Sequence, residues 1–228
     1  YIDRVTFKII QDVELTALSM MNGDLDSLIL VDDAAAVLAN KGVFSENTEV
    51  GDYRIIASPM PGPFRVVGVN LTHPDSAKRE VLANKDFRIG LSHAINRQEV
   101  IDLLYFGQGK AFQAAPDEAS RFYDESFATQ YTEYDTALAN EYLDKVVPNK
   151  DAEGFRLLED GSRLQLIFEM LARPDDTDLF ELLIQYWRAV GIDAQYQTMD
   201  RTLRDTRLRG NLSDGFTWGG AEGMLGDE

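Results

Sequence analysis

The period of the apolar residues switches repeatedly along this chain, from two to about 3.6 and back. That alternation restricts its fold more than any other feature. Val5, Phe7 and Ile9 recur at period two, as on one face of a strand. Val13, Ala17, Leu18 and Met21 then recur at helical spacing behind Asp12, whose carboxylate can accept from free N–H groups at a helix start. Gly23 is placed to end that helix in a left-handed conformation. A short strand around Leu28–Leu30 and a helix over Ala34–Asn40 are expected next. Tyr53–Ala57 and Phe64–Asn70 read as strands separated by Pro59, Pro61 and Pro63. A helix opens at Asp86, Asn96 breaks it, and a second helix runs from about Gln98 to Phe106 before Gly107.

The second half repeats the alternation. A polar loop over 117–133 leads to a helix capped by Asp135, with Leu138, Tyr142 and Val146 on one face. Phe155–Leu157 and Leu164–Glu169 flank Asp160-Gly161, a hairpin signal. Asp176–Val190 carries an apolar stripe of Leu179, Leu182, Leu183, Tyr186, Trp187 and Val190, and Gly191 stops it. A strand over Ala194–Gln197 follows. Asp200 then caps a short basic helix bearing Arg201, Arg204, Arg207 and Arg209, and a strand covers Gly215–Trp218. Strands alternating with helices predict an α/β fold.

Charge narrows the partners. With 22 basic and 39 acidic residues in 228, the net charge is −17. Such a chain repels a phosphate backbone and an anionic lipid surface, so nucleic acid is excluded as an expected partner. Residues 1–112 carry −4 and residues 113–228 carry −13. The change falls near the Gly107–Pro116 stretch, where a domain boundary is expected, dividing 1–110 from 111–228. There is no cysteine and there are two histidines, so thiolate chemistry and a multi-histidine metal site are not available. No apolar run approaches the ~20 residues of a membrane span.

The motifs of common enzymes are missing. Gly107-Gln108-Gly109-Lys110 lacks P-loop spacing, and Asn22-Gly23-Asp24-Leu25-Asp26 lacks the later glycine and closing glutamate of a calcium loop. No Gly-x-Ser-x-Gly elbow occurs. His73 in Thr72-His73-Pro74 and His93 within a helix read as structural residues. The acidic pairs Asp32-Asp33, Asp175-Asp176 and Asp227-Glu228 could serve a glycosidase, but read as solvated surface or helix starts. Asn70-Leu71-Thr72 and Asn211-Leu212-Ser213 match glycosylation sequons. Trp187 belongs to a helix stripe and is assigned to the core. Trp218 is different: it ends a strand before Gly219-Gly220, with Glu222 four residues on. Glycines there allow close backbone approach to a ligand, the indole offers a stacking face, and the carboxylate can meet an ammonium or sugar hydroxyls. A core tryptophan is the equally weighted alternative.

Several segments in order resemble the family 5 extracellular solute-binding proteins of bacterial ABC importers, which include the oligopeptide- and dipeptide-binding proteins. They are Tyr1-Ile2-Asp3, Val5-Thr6-Phe7-Lys8-Ile9-Ile10 and Gly23-Asp24-Leu25-Asp26, then the block from Lys85-Asp86-Phe87-Arg88 to Ala94-Ile95-Asn96-Arg97, where Asn96 replaces the usual aspartate. Gly107, Tyr134-Asp135 with Ala137, and Val190-Gly191-Ile192 continue the pattern. The resemblance implies a type II periplasmic-binding-protein-like α/β fold, with two partial lobes of mixed sheets flanked by helices. It also implies that this chain, which opens at Tyr1 and stops in mid-pattern, is an internal piece of a protein more than twice its length. Residues 1–110 would belong to the lobe that holds the full-length termini, and 111–228 would open the second.

The function implied is extracytoplasmic capture of a small solute, peptide or oligosaccharide, between two closing lobes for delivery to ABC permease subunits, with no cofactor, metal or catalytic residue. The location implied is periplasmic or membrane-anchored outside the cytoplasm, with the export signal outside this segment. Trp218, Gly219, Gly220 and Glu222 are the expected ligand-binding residues. Peptide-binding members carry an aspartate three residues after this tryptophan. Here Ala221 stands third and Glu222 fourth, which raises a sugar to equal standing with a peptide. The alternatives are a carbohydrate-active hydrolase with paired carboxylates and a non-transport receptor domain of the same fold. An incomplete lobe would expose apolar surface, leaving self-association open to the fragment.

Overall fold

A computed structural model describes residues 2–10, 12–28, 41–56, 65–116, 118 and 120–218. The chain forms two compact units, Tyr1–Ser58 and Pro59–Glu228. In the first, helix α1 spans Val13–Met21, and Asp12 accepts from the Leu15 N–H at 2.8 Å as expected. Gly23 adopts φ +76°. Its N–H reaches the Met20 carbonyl, and the Asp24 N–H reaches Ser19, so the last turn's orphan carbonyls are satisfied. Residues 41–46 are helical too, and the Tyr53 hydroxyl donates to the Phe44 carbonyl.

The strands expected over Val5–Ile9 and Tyr53–Ala57 do not form among the described residues, which take in 53–56 of the second, while the one expected over Phe64–Asn70 forms over Val66–Val69. Val5, Phe7 and Ile9 are exposed, Ile9 by 92%. Period-two patterning specifies which side chains share a face, but a strand exists only when a neighbour completes its ladder, and none of the described residues does so. The helix expected over Ala34–Asn40, and most of the strand around Leu28–Leu30, lie outside the described residues.

The second unit is built on one mixed sheet. Strand β1 covers Val66–Val69, β2 Gln165–Leu171, β3 Asp193–Met199 and β4 Gly215–Trp218, in the order β1-β4-β2-β3. β2 runs parallel to β3 and β4, while β1 is antiparallel to β4 with Val66 opposite Trp218. The carboxyl ends of β2, β3 and β4 therefore point the same way. Leu171 lies opposite Met199, and Trp218 lies two residues past Phe216, the partner of Glu169.

Helices α2 (Ser76–Ala83), α3 (Lys85–His93), α4 (Arg97–Leu104), α5 (Glu125–Thr129), α6 (Thr136–Asp144), α7 (Pro174–Ala189) and α8 (Arg201–Arg209) surround the sheet. Sequence patterning misses α2, whose start is signalled by Asp75: its carboxylate accepts from the Ala77 and Lys78 N–H groups. Asn84 follows at once and caps α3, in place of the expected start at Asp86. The caps Asp135 and Asp200 form as expected, and Asn96, expected to break a helix, also caps α4 by accepting from the Glu99 N–H. The Asp160-Gly161 reversal is present, with Gly161 at φ +83° and Leu158 N–H donating to the Ser162 carbonyl. Its first arm is reduced to single bridges, Lys150 to Arg156 and Leu157 to Arg163.

The core centres on Trp187, Phe168 and Phe180. The rings of Phe168 and Trp187 stack at 4.8 Å, and the Trp187 Nε1–H donates to the Leu91 carbonyl at 3.1 Å. One cluster of buried residues runs from Val81, Leu82 and Phe87 through Ala139 and Leu143 to Leu166 and Ile192. The Gly107–Pro116 stretch lies between α4 and α5 in the second unit.

Arg156, fully buried, ties the lower part together. Its Nε donates to the Val190 carbonyl, Nη1 to Asp144 and the Val147 carbonyl, and Nη2 to Asn140. Every branch of the guanidinium is paired, which a buried cation requires. Next to it Gly191 turns the chain from α7 into β3 at φ +87°, where an added Cβ would lie 2.6 Å from the Gly154 carbonyl oxygen. Both the dihedral and the space exclude a side chain. Gly191→Ala is therefore expected to lower the melting temperature by at least ~3 °C, the effect of about 1 kcal/mol in a domain of this size. An unchanged melting curve in differential scanning calorimetry would refute this.

Candidate functional site

Strand β4 carries Trp218 to the carboxyl edge of the sheet, and a buried carboxylate sets its position. Asp214, 7% exposed, precedes β4. One Lys78 ammonium reaches both of its oxygens at 2.9 Å, and the Ile167 N–H of β2 donates to Oδ2. His73 lies 3.0 Å from Oδ1 through Nε2, while its Nδ1 accepts the Asp75 N–H. An accepting Nδ1 puts the neutral ring's proton on Nε2, so His73 donates to Asp214. A second buried carboxylate, Glu169 on β2, accepts from Arg207 Nε at 2.6 Å and from the Ser213 hydroxyl. The Glu169 contact holds the Arg207 guanidinium above its ordinary range. The two sequon asparagines meet each other: Asn70 Nδ2 donates to Asn211 Oδ1 at 2.8 Å and to the Ser213 carbonyl, and Asn211 Nδ2 donates to the Thr72 carbonyl. Loops at β1 and β4 are thereby clamped side by side.

At the other end of β4, Trp218 is partly buried. The Arg204 guanidinium carbon lies 4.4 Å from its ring centroid and that of Arg201 lies 5.4 Å away. Both come from the first turns of α8, which starts directly after β3. Of the expected ligand residues, Trp218 is at the strand end as read, while Gly219, Gly220 and Glu222 lie outside the described residues. The arginine contacts were not legible in sequence, because 14 residues (Arg204) and 17 residues (Arg201) and a reversal separate them from the tryptophan.

The histidines occupy structural positions. His93 is buried, stacks on Tyr142 and lies 3.0 Å from the Glu133 carbonyl through Nδ1; a carbonyl only accepts, so the proton is on that nitrogen. Asp176, expected at solvated surface or at a helix start, lies in the first turn of α7, where it is buried and accepts from Arg65 Nε at 2.6 Å, joining the start of β1 to the start of α7. No group of three or more His, Asp or Glu among the described residues is arranged to hold a metal ion.

Residues 1–225 match the model of the bacterial extracellular solute-binding proteins, family 5, middle region. The chain belongs to this family. No curated protein sequence matches it. Among solved structures the family 5 chain is similar to an oligopeptide-binding protein OppA, with a TM-score of 0.74 and 26% identity over 93% of this chain and 34% of that one. It is also similar to NikA of Brucella suis, solved with Fe(III)-EDTA, at a TM-score of 0.66 and 20% identity over 93% of this chain and 41% of that one. The periplasmic binding protein MelB of Agrobacterium fabrum, solved with stachyose, gives 0.68 and 17% over 91% and 32%. The mixed sheet with flanking helices is the fold of these binding proteins. The family 5 chain spans about a third to two-fifths of their length.

Asp214→Ala removes the acceptor of Lys78, His73 and the Ile167 N–H together. It is expected to cost about 3 kcal/mol in urea denaturation, as breaking a buried ion pair does. A midpoint within error of the wild type would mean that the ladder alone holds β4 in place.

Proposed function

We propose that the full-length protein captures a small solute, an oligopeptide or an oligosaccharide, outside the cytoplasmic membrane and delivers it to the permease of an ABC importer. Membership of the extracellular family 5 supports this, and so do neighbours solved with a sugar or named for peptides. The observation that carries the reading to a site is Trp218 at the carboxyl end of β4. In open α/β sheets ligands sit outside the carboxyl ends of the strands. An indole there gives a stacking face for a sugar ring or an apolar wall for a peptide side chain. Gly219 and Gly220 would allow close approach of the backbone, and Glu222 would meet an ammonium or hydroxyl. Closure of two lobes would bury the solute and report occupancy to the permease.

A hydrolase with paired carboxylates finds less support. A general acid needs a carboxyl group free to hold and release a proton. Glu169 and Asp214 are each engaged by a cation and by further donors. No helix among the described residues is long and apolar enough to cross a membrane.

The test is a thermal-shift screen of the full-length protein against di- to pentapeptides and against neutral oligosaccharides. A solute at 100 times its Kd adds about 2.7 kcal/mol, enough to raise the melting point by a few degrees. A shift with one panel is expected, and Trp218→Ala should abolish it. Shifts that persist in the variant would remove Trp218 from the site.

A further inference from the structure

We propose that Arg204 and Arg201 form an anion-recognising subsite beside Trp218, so that the solute carries a carboxylate. This deepens the solute-binding reading and rests on it. The arginines lie where the sheet presents its ligand edge. Asp200, the cap of α8, follows Met199 at the carboxyl end of β3, so the first turns of α8 stand next to the ends of β2 and β4.

Arg204 is the decisive residue. Its side chain is 5% exposed, yet its hydrogen bonds all go to one oxygen: Nε and Nη2 both donate to Asp205 Oδ1, on the neighbouring residue. Among the described residues Nη1 has no acceptor. Arg156 shows what this protein does with a buried guanidinium it uses only for structure: all three nitrogens are paired. The Arg204 guanidinium lies over the Trp218 ring, 4.4 Å from its centroid, and Nη1, which has no acceptor among the described residues, is not sealed from solvent, so a donor is left for a ligand oxygen.

Arg201 supplies the second charge. It is exposed and has no hydrogen bond or ion pair to a described residue, and its guanidinium lies over the same indole. Arg207, one turn beyond Arg204, differs in being tied to Glu169. Two cations on one tryptophan are also unexpected in a chain of net charge −17, where a free arginine would ordinarily find a carboxylate on the surface. A carboxylate between Arg201 and Arg204 Nη1 would make charge-assisted hydrogen bonds, while the rest of the solute packs along the indole. The terminal carboxylate of a peptide and the carboxylate of an acidic sugar share this chemistry.

The experiment uses the full-length protein and isothermal titration with four probes: tetra-alanine, tetra-alanine amide, trigalacturonate and neutral galactotriose. The expected result is that one acid binds about tenfold or more tighter than its neutral counterpart, as a hydrogen bond to a charged group allows. The peptide or the sugar pair showing the difference names the source. Arg201→Gln, at an exposed position, should collapse that ratio to near one, and Arg204→Lys should reduce it. Arg209→Gln, on the same helix and exposed, should leave the ratio intact. Equal binding of an acid and its neutral partner by the wild type overturns the subsite and leaves solute binding standing. So does a ratio unchanged by Arg201→Gln. Binding of none of the four overturns the subsite together with the peptide-or-sugar reading.

Discussion

Asp214 is the point on which the site end of this protein depends. A carboxylate with little access to water must be matched by positive charge and donors, or it would cost more than a short strand can return. Its partners come from three places: Lys78 of α2, His73 of the loop before it, and the Ile167 N–H of β2. Satisfying one anion therefore holds the start of β4 against β2, α2 and the loop before α2. β4 is four residues long and shares only two residue pairs with β2. Its ladder is small, so the buried charge supplies what the ladder lacks. Where β4 lies determines where Trp218 lies.

The same device recurs. Glu169 binds Arg207 and Ser213, Asp176 binds Arg65, and Arg156 gathers the α6 end, the Val147 carbonyl and the α7 end. Each joins segments far apart in sequence around the aromatic core of Trp187, Phe168 and Phe180. Buried ion pairs add little net stability over apolar packing, but they penalise wrong partners heavily. A binding protein must hold a ligand edge in one geometry, and such pairs serve that requirement. Against this background a guanidinium such as Arg204, buried but incompletely paired, stands apart.

Legibility in the sequence followed the range of the interactions. Helices with a cap and a stripe were readable: Asp12, Asp135 and Asp200 each sit one residue before a helix, and the hydrogen bond they make spans three residues. Gly23, Gly161 and Gly191 were readable because a positive φ is a local demand that glycine meets best. α2 escaped notice because its stripe is short, with Val81 and Leu82 as its buried residues. The strand expected at Val5–Ile9 fails for a different reason: alternation marks a face, and pairing is not a local property. The basic helix with Arg201 and Arg204 was visible as a charge pattern, but its contact with Trp218 was not.

Local choices belong to the chain alone: α/β alternation, most helix boundaries, the turn glycines, Trp187 as core, and a family resemblance carried by segments in order. Those follow from interactions among neighbours in the chain. Tertiary structure decided the strand order, the burial of Asp214, Glu169 and Asp176, the pairing of Asn70 with Asn211, and the arginines over Trp218. These depend on contacts between residues from 14 positions apart, Arg204 and Trp218, to 141 apart, Asn70 and Asn211, where no residue's chemistry names its partner. A carboxylate reads the same whether it is solvated or buried. Only the packing around it, which brings or withholds a cation, settles which it is.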